Sequence, residues 1–405
     1  MISPSTPKPD AAREVARRFG RVVDVMDMAQ LDALRDAASA AAGDRPFPRW
    51  SAHEGDGVSD HPGVVHDASV KPLPPPTFLN GRPNCFPDVV YEGFTVSAPE
   101  MSLRSVMSGH LLLVNDAPCV LDSRQKLIER FSSLYSFLID YYADEHHAAA
   151  FANVRYIDGR LLVLVDDIYS LNYSHWLSDW LPRVSALGRV NEDDYVAVSP
   201  LTTRWQVETL RAMGFAEHRI IPMQPWSVVR ARELLVPSAL SEIFHPSFKA
   251  ADWATDFIRR SLGPPSHRRS TTGRRIYISR GDAGGRRVLN EPQLIDALAP
   301  FGFEVHSLSE MTVARQAALF ADASVIVSLH GAGLTNVIFC NVGCRVCEIF
   351  PQSYGTPAFW ILGGARGVDY FSYVETDVRP GQVTVHDDIM LDIPDFLDKA
   401  GFLLS

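Results

Sequence analysis

The chain has 405 residues, 46% of them hydrophobic, and a formal net charge of −10. The length admits two or three domains, the apolar content excludes global disorder, and the charge argues against broad nucleic-acid or anionic-membrane binding, which needs a basic face. Five cysteines (Cys85, Cys119, Cys340, Cys344, Cys347) in so long a chain form no disulfide framework. No signal-type apolar segment and no run of about 18 apolar residues occurs, so a soluble, cytoplasmic chain is expected, with peripheral association to an inner membrane left open.

Residues 1–9, with Pro4, Pro7 and Pro9, are expected to be disordered, and 10–41 to favour helix. From 42 to about 83 Pro, Gly, Asp and His dominate, ending in KPLPPP (71–76), which suits a linker or irregular surface wrap outside the core. His53, His61 and His66 there read as solvated loop residues rather than metal ligands. Between 85 and about 165 the pattern shortens into strand-like pieces such as HLLLV (110–114) and RYIDGRLLVLV (155–165), in which Asp158-Gly159 between two apolar runs signals a hairpin.

Strands and helices then alternate. LLVLV (161–165) leads to a helix around 174–186, YVAVS (195–199) to a helix within 202–215, and RIIPM (219–223) and ELLVP (233–237) follow. A bridge containing 245–263 precedes a second alternation. RRIYISR (274–280) is a strand, and 290–303 a helix opened by Asn290 with Gln293 three residues on, a capping-box variant. FEVHSL (303–308) is a strand, 311–323 a helix, and SVIVSL (324–329) a strand apolar enough to be buried on both faces. A helix over 334–340 and the strand CRVCEIF (344–350) complete the pattern. The expected fold class is α/β: two Rossmann-like doubly wound domains, 85–240 and 241–376, facing a cleft, with an irregular N-terminal extension or linker (1–84) and a tail helix (377–405).

In such sheets ligands sit beyond the carboxyl ends of the strands, against helix N-termini. His330-Gly331-Ala332-Gly333 occupies that place: glycines admit close approach of backbone N–H groups, the helix start carries partial positive charge, and the histidine can donate to the same anion. Arg280, at the end of the 274–280 strand, opens into GDAGGRR (281–287) at the same sheet edge. Arg280 and Arg286 offer bidentate donors to a pyrophosphate, whereas Arg287 suits a solvated loop. Glu348 either accepts from ribose hydroxyls or caps a local network. In LNYSHWLSDWLPR (171–183), His175 and Asp179 share a helix face at i, i+4 with Arg183 in continuation, an arrangement suited to a general base. Trp176 and Trp180 suggest a sugar platform or core packing, and Pro182 should end or kink the helix. Asp166-Asp167 resembles a metal-binding pair only loosely, and Cys340, Cys344 and Cys347 lack a further ligand pair, so they read as packing residues rather than a zinc site.

YISR (277–280), RRVLNE (286–291), RQAALFADA, HGAGLTNVIF (330–339) and EIF (348–350) resemble the C-terminal half of glycosyltransferase family 61, and NYSHWLSDWLPR (172–183) resembles its N-terminal block. The resemblance covers about 170–350. It implies a GT-B fold, inverting transfer of xylose or N-acetylglucosamine from UDP to a glycan hydroxyl, no metal or other cofactor beyond the UDP-sugar co-substrate, and a role in capsule or other surface polysaccharide synthesis in bacteria. On its motif positions, Arg280, Arg286, Asn290, His330, Gly331, Ala332, Gly333, Asn336 and Glu348 fall on the donor side, and Asn172, Trp176 and Arg183 on the acceptor side. His175 or Asp179 is the base. The alternatives are a non-catalytic nucleotide- or glycan-binding protein on the same fold and, more weakly, a phosphohydrolase.

Overall fold

A computed structural model describes residues 57–60, 66–83, 93–98, 100–114, 117–128, 150–165, 172–199, 203–238, 240, 251–264, 273–352, 354–375 and 388–404. The expected 10–41 helix, His53, His61, Cys85 and Asp166-Asp167 lie outside these residues, and the expected boundaries at 84/85, 240/241 and 376/377 fall on or beside undescribed positions.

The first sheet takes β1 (Val58–Asp60), β5 (Leu103–Met107), β6 (His110–Val114), β7 (Ala117–Leu121), β8 (Arg155–Val163), β9 (Asp194–Val198), β10 (Ile220–Pro222) and β11 (Val228–Pro237). Its order is β1-β5-β11-β8-β9-β10, with β6 pairing β11 and β7. Only β11, β8, β9 and β10 run parallel; the earlier strands pair antiparallel. The expected doubly wound unit over 85–240 is therefore a mixed sheet. The expected hairpin at Asp158-Gly159 does not form, because β8 runs straight through it. The register against β11 shifts there, two residues of β8 standing opposite Arg232, so the Asp-Gly pair makes a bulge. Gly159 is required by closeness, since a Cβ would lie 2.5 Å from the Asp193 carbonyl oxygen. β2 (Ser69–Pro72) and β4 (Thr95–Ala98) form a separate antiparallel pair.

The second sheet takes β12 (Arg274–Ile278), β13 (Phe303–His306), β14 (Ala323–Leu329), β15 (Arg345–Pro351) and β16 (Asp369–Glu375), all parallel in the order β13-β12-β14-β15-β16. Counted along the chain this is the doubly wound order 2-1-3-4-5, whose switch point lies between its first and third strands. The strands alternate faces. Tyr277, Val325, Val327, Cys347 and Ile349 pack with helices Glu291–Leu298 and Ile393–Leu404, while Ile276, Ile278, Ile326 and Val346 pack with helix Val313–Ala321. Burial on both faces explains the unbroken apolar runs.

One arrangement differs from the sequence expectation. The stretch at 71–83 is no loose linker: β3 (Thr77–Phe78) extends the second sheet in parallel beside β16, Leu73 is buried, and Trp360 Nε1 donates to Pro74 O at 2.8 Å. The Asn80 side-chain amide continues the ladder, donating to Val374 O and accepting from Val374 N, each at 2.8 Å, which satisfies the sheet edge. In addition, one apolar cluster holds Leu164, Trp176, Val184 and Leu210 together with Ile278, Leu334, Val337 and Phe339. Through it the two sheets share one apolar core. Among the described residues no helix is long and apolar enough to cross a membrane.

Candidate functional site

The site is built at the switch point. Ile278 of β12 stands beside Ser328 of β14, so the residues just beyond them, Arg280 and His330, emerge together. The loop after β12 wraps the Arg280 guanidinium: Nε donates to Arg286 O at 3.0 Å and Nη2 to Gly285 O at 3.1 Å. Glu291, at the start of the following helix, braces this turn by accepting from Tyr277 Oη at 2.8 Å and Ser279 Oγ at 3.0 Å. The remaining edge of the guanidinium lies on Gly331, where a Cβ would stand 1.9 Å from Nη1 and 2.7 Å from Cζ. Gly331 has φ 177, an extended backbone open to any residue, so its glycine serves the arginine's approach and not the turn. The helix expected over 334–340 is present as a 3-10 helix over Ala332–Phe339, and the amides of Gly331, Ala332 and Gly333 have no acceptor among the described residues. Gly333 is also tight, a Cβ there falling 2.8 Å from Leu308 Cδ1.

The electrostatics leave a positive charge waiting. Arg286, held at φ 54, lays its guanidinium 4.9 Å from the Tyr354 ring centroid, and its buried Nε has no hydrogen-bond partner among the described residues. Neither Arg280 nor Arg286 forms an ion pair with a carboxylate among the described residues. Burial, and then the charge of Arg286, lower the Arg280 pKa to about 10, so the group is still cationic at neutral pH but held at a cost that an anion would relieve. Arg287 behaves as the solvated loop residue expected, paired at 2.7 Å with Asp388.

His330 is buried among Phe350, Tyr354 and Phe359, and its Nδ1 bonds Glu348. The second Glu348 oxygen accepts from Tyr370 Oη. Of the two readings open for Glu348, the local network is the one present. Burial outweighs Glu348 and lowers the His330 pKa, with Arg286 and Arg280 acting in the same direction, so the imidazole is neutral at physiological pH.

Two residues expected on the donor side are engaged elsewhere. Asn290 makes no cap hydrogen bond; its amide donates to Leu391 O at 2.9 Å and accepts from Leu391 N at 3.0 Å, because the 389–391 segment offers both backbone groups at once. Asn336 is fully buried, with its side chain spent on Tyr173, Gln316 and Gly333.

The expected helix at 174–186 is one run of three forms: α over Tyr173–His175, π over Trp176–Trp180 and 3-10 over Leu181–Leu187. Pro182 has no N–H to give, and the ladder widens before it (Leu181 N to Trp176 O) and tightens after it, so the helix changes type instead of ending. His175 Nδ1 and Asp179 Oδ2 meet at 2.6 Å. Ser178 Oγ donates to the other Asp179 oxygen at 2.5 Å. The Asp179 side chain is 7% exposed and that of His175 31%, which puts the carboxylate behind the imidazole.

The three positions expected on the acceptor side are structural. Asn172 caps the run, accepting from Ser174 N at 2.9 Å. Trp176 is fully buried with Nε1 donating to Thr209 Oγ1 at 2.9 Å, which excludes it as a sugar platform. Arg183 donates to Asp179 O at 2.8 Å and lies 3.7 Å over the ring of Trp180, which is itself only partly buried. Cys340, Cys344 and Cys347 are buried, and among the described residues no group of three His, Cys, Asp or Glu is placed to hold a metal. Sequence reasoning missed Glu291, although it ends the RRVLNE stretch, and Tyr354 and Tyr370, which carried no signal at all.

The family described as Glycosyltransferase 61 matches residues 173–347, somewhat under half of the chain. Among similar proteins, a Beta-1,2-xylosyltransferase of Arabidopsis thaliana is 26% identical over 24% of this chain and 21% of its own length. The Beta-1,2-xylosyltransferase XAX1 of Oryza sativa subsp. japonica is 38% identical over 21% and 16%. The human Protein O-linked-mannose beta-1,4-N-acetylglucosaminyltransferase 2 is 32% identical over 25% and 19%. The matches thus span about a fifth of the length of these relatives.

Proposed function

We propose that this chain is an inverting glycosyltransferase of the GT-B type. It moves a sugar, xylose or N-acetylglucosamine, from a UDP-sugar to a glycan hydroxyl, on the cytoplasmic side, in the assembly of a surface polysaccharide. The observation that carries the reading is the guanidinium of Arg280 lying on Gly331, with Arg286 acting on it and, among the described residues, no ion pair between either guanidinium and a carboxylate. The names of the matched relatives, all sugar transferases, support the same chemistry.

In a single displacement the acceptor oxygen bonds to the anomeric carbon as the bond from that carbon to the β-phosphate oxygen breaks. His175 takes the hydroxyl proton, and Asp179 holds the other ring nitrogen and stabilises the resulting imidazolium. Charge developing on the departing diphosphate is met by Arg280, Arg286 and the amides of 331–333, all oriented before the reaction begins. In this reading the guanidinia do the work of a cation, and no metal is called for.

A panel of nucleotide sugars assayed for slow hydrolysis tests the donor without knowledge of the acceptor: UDP release from UDP-xylose or UDP-N-acetylglucosamine is expected. Release from GDP- or CMP-sugars alone, or from none, overturns the donor assignment. His175→Ala and Asp179→Ala should each abolish turnover while UDP binding persists; about 100 times its dissociation constant adds about 2.7 kcal/mol of stability. Full turnover in both variants removes His175 and Asp179 from the chemistry.

A further inference from the structure

The helical run bearing His175 follows β8 of the first sheet, and the Ala332–Phe339 helix follows β14 of the second, yet a chain of side chains joins them. Tyr173, two residues before His175, donates from Oη to Asn336 Oδ1 at 2.9 Å. Asn336 Nδ2 donates to Gly333 O at 2.9 Å and to Gln316 Oε1 at 2.8 Å. Gln316 Nε2 then donates to Leu308 O at 3.1 Å and Met311 O at 3.2 Å. Every bond has a fixed direction. The carbonyls of Leu308, Met311 and Gly333 can only accept, which turns the Gln316 and Asn336 amino groups toward them and leaves Asn336 Oδ1 to accept from the Tyr173 hydroxyl. The chain ends on Gly333, the third residue of the anion seat.

A buried polar network of this sort is not a stability device. Phe and Leu would fill the same volume without desolvating polar groups, and exchanges of that kind are often neutral or stabilising. What the network adds is register. Around it Trp176, Leu177, Leu334 and Val337 meet through apolar contact, which is non-directional and tolerates small slides, whereas hydrogen bonds of this length do not. The segment Tyr173–His175 packs beside Ala332–Phe339, so a slide between them would move His175 relative to the seat at 331–333, and a displacement of about 1 Å in a reacting group costs on the order of 10²-fold in rate.

We propose that Tyr173 and Asn336 are positioning residues that gauge the distance between the His175 base and the diphosphate seat, so that filling the seat also orders the base. The inference rests on the glycosyltransferase reading given above, and its test separates the two. Hydrogen exchange is followed by mass spectrometry with inorganic pyrophosphate as probe, on the full chain, on Tyr173→Phe and on Asn336→Asp. Asn336→Asp keeps the acceptor for Tyr173 but loses the donor to Gly333 and Gln316. In the unaltered protein pyrophosphate should slow exchange over 331–336 and also over 173–180. In either variant the first protection should stay and the second disappear. With a UDP-sugar, kcat should fall 10- to 100-fold while KM stays within twofold. Protection of 331–336 without 173–180 in the unaltered protein, or protection of both in the variants, overturns the gauge while leaving the seat standing. Protection of neither overturns the seat, and the gauge with it.

Discussion

Replacing Gly331 by alanine puts a methyl group where the guanidinium of Arg280 now lies. The new Cβ would stand 1.9 Å from Nη1 and 2.7 Å from Cζ, against a van der Waals separation of about 3.5 Å, so the guanidinium must withdraw by roughly 1.5 Å. It cannot do so and keep both its bonds to Arg286 O and Gly285 O, which hold Nε and Nη2. A hydrogen bond to a charged group is worth about 1.5–3 kcal/mol, so loss of the one the displaced guanidinium would make to the diphosphate predicts a fall in UDP affinity of about 100-fold, or about 2.7 kcal/mol. The backbone, at φ 177, takes alanine without strain, so the melting temperature should move by only a few degrees. Calorimetric titration with UDP reads the affinity. The clash exists only while Arg280 is present, so Gly331→Ala added to Arg280→Ala should cost less than about twofold more. An unchanged affinity in the single variant, or an equal loss with and without Arg280, would refute the reasoning.

Trp176→Ala should destabilise the fold by about 3–5 kcal/mol, read by chemical denaturation, because the ring is fully buried in the cluster shared by both sheets; intact stability with a raised acceptor KM would restore the sugar-platform reading. Glu291→Gln leaves one oxygen to accept from Tyr277 and Ser279, loosening the turn that carries Arg280. UDP affinity should drop severalfold, and no change would show that the brace is dispensable. His330 and His110 both have pKa values lowered from 6.5 by burial, so below pH 6.5 the unfolded chain binds more protons than the folded one. Their contribution to stability is complete above that pH and is lost as pH falls toward the lowered values, at up to about 1.4 kcal/mol per pH unit for each. Denaturation at pH 7.5, 6.5 and 5.5 should show the decline, and His110→Asn should shallow it; a flat profile would contradict this.

The second sheet was largely legible from sequence because parallel strands buried on both faces leave unbroken apolar runs, as in SVIVSL and CRVCEIF. Alternation with helices placed Arg280 and His330 at one edge. The His175–Asp179 pair was legible too, because spacing along one helix is local. What escaped depends on distant partners. Nothing in Thr77–Phe78 announces a strand until β16 is there to pair with it, and Asp158-Gly159 bends a strand instead of turning it because β11 and β9 flank it on both sides. Asn290 and Asn336 carried motif positions suggestive of ligand contact, but an amide serves equally well as an internal tie, and which it does is decided by Leu391, Tyr173 and Gln316, far away in sequence.

The account stands on a diphosphate gripped between Arg280 and the amides of Gly331 to Gly333. Calorimetric titration of uridine, UMP and UDP against the unaltered chain and Arg280→Ala measures that grip phosphate by phosphate. The expected result is a steep gain in affinity from UMP to UDP that vanishes in the variant while uridine binding is unaffected. Equal affinities for UMP and UDP, or a gain that survives the loss of Arg280, would contradict it.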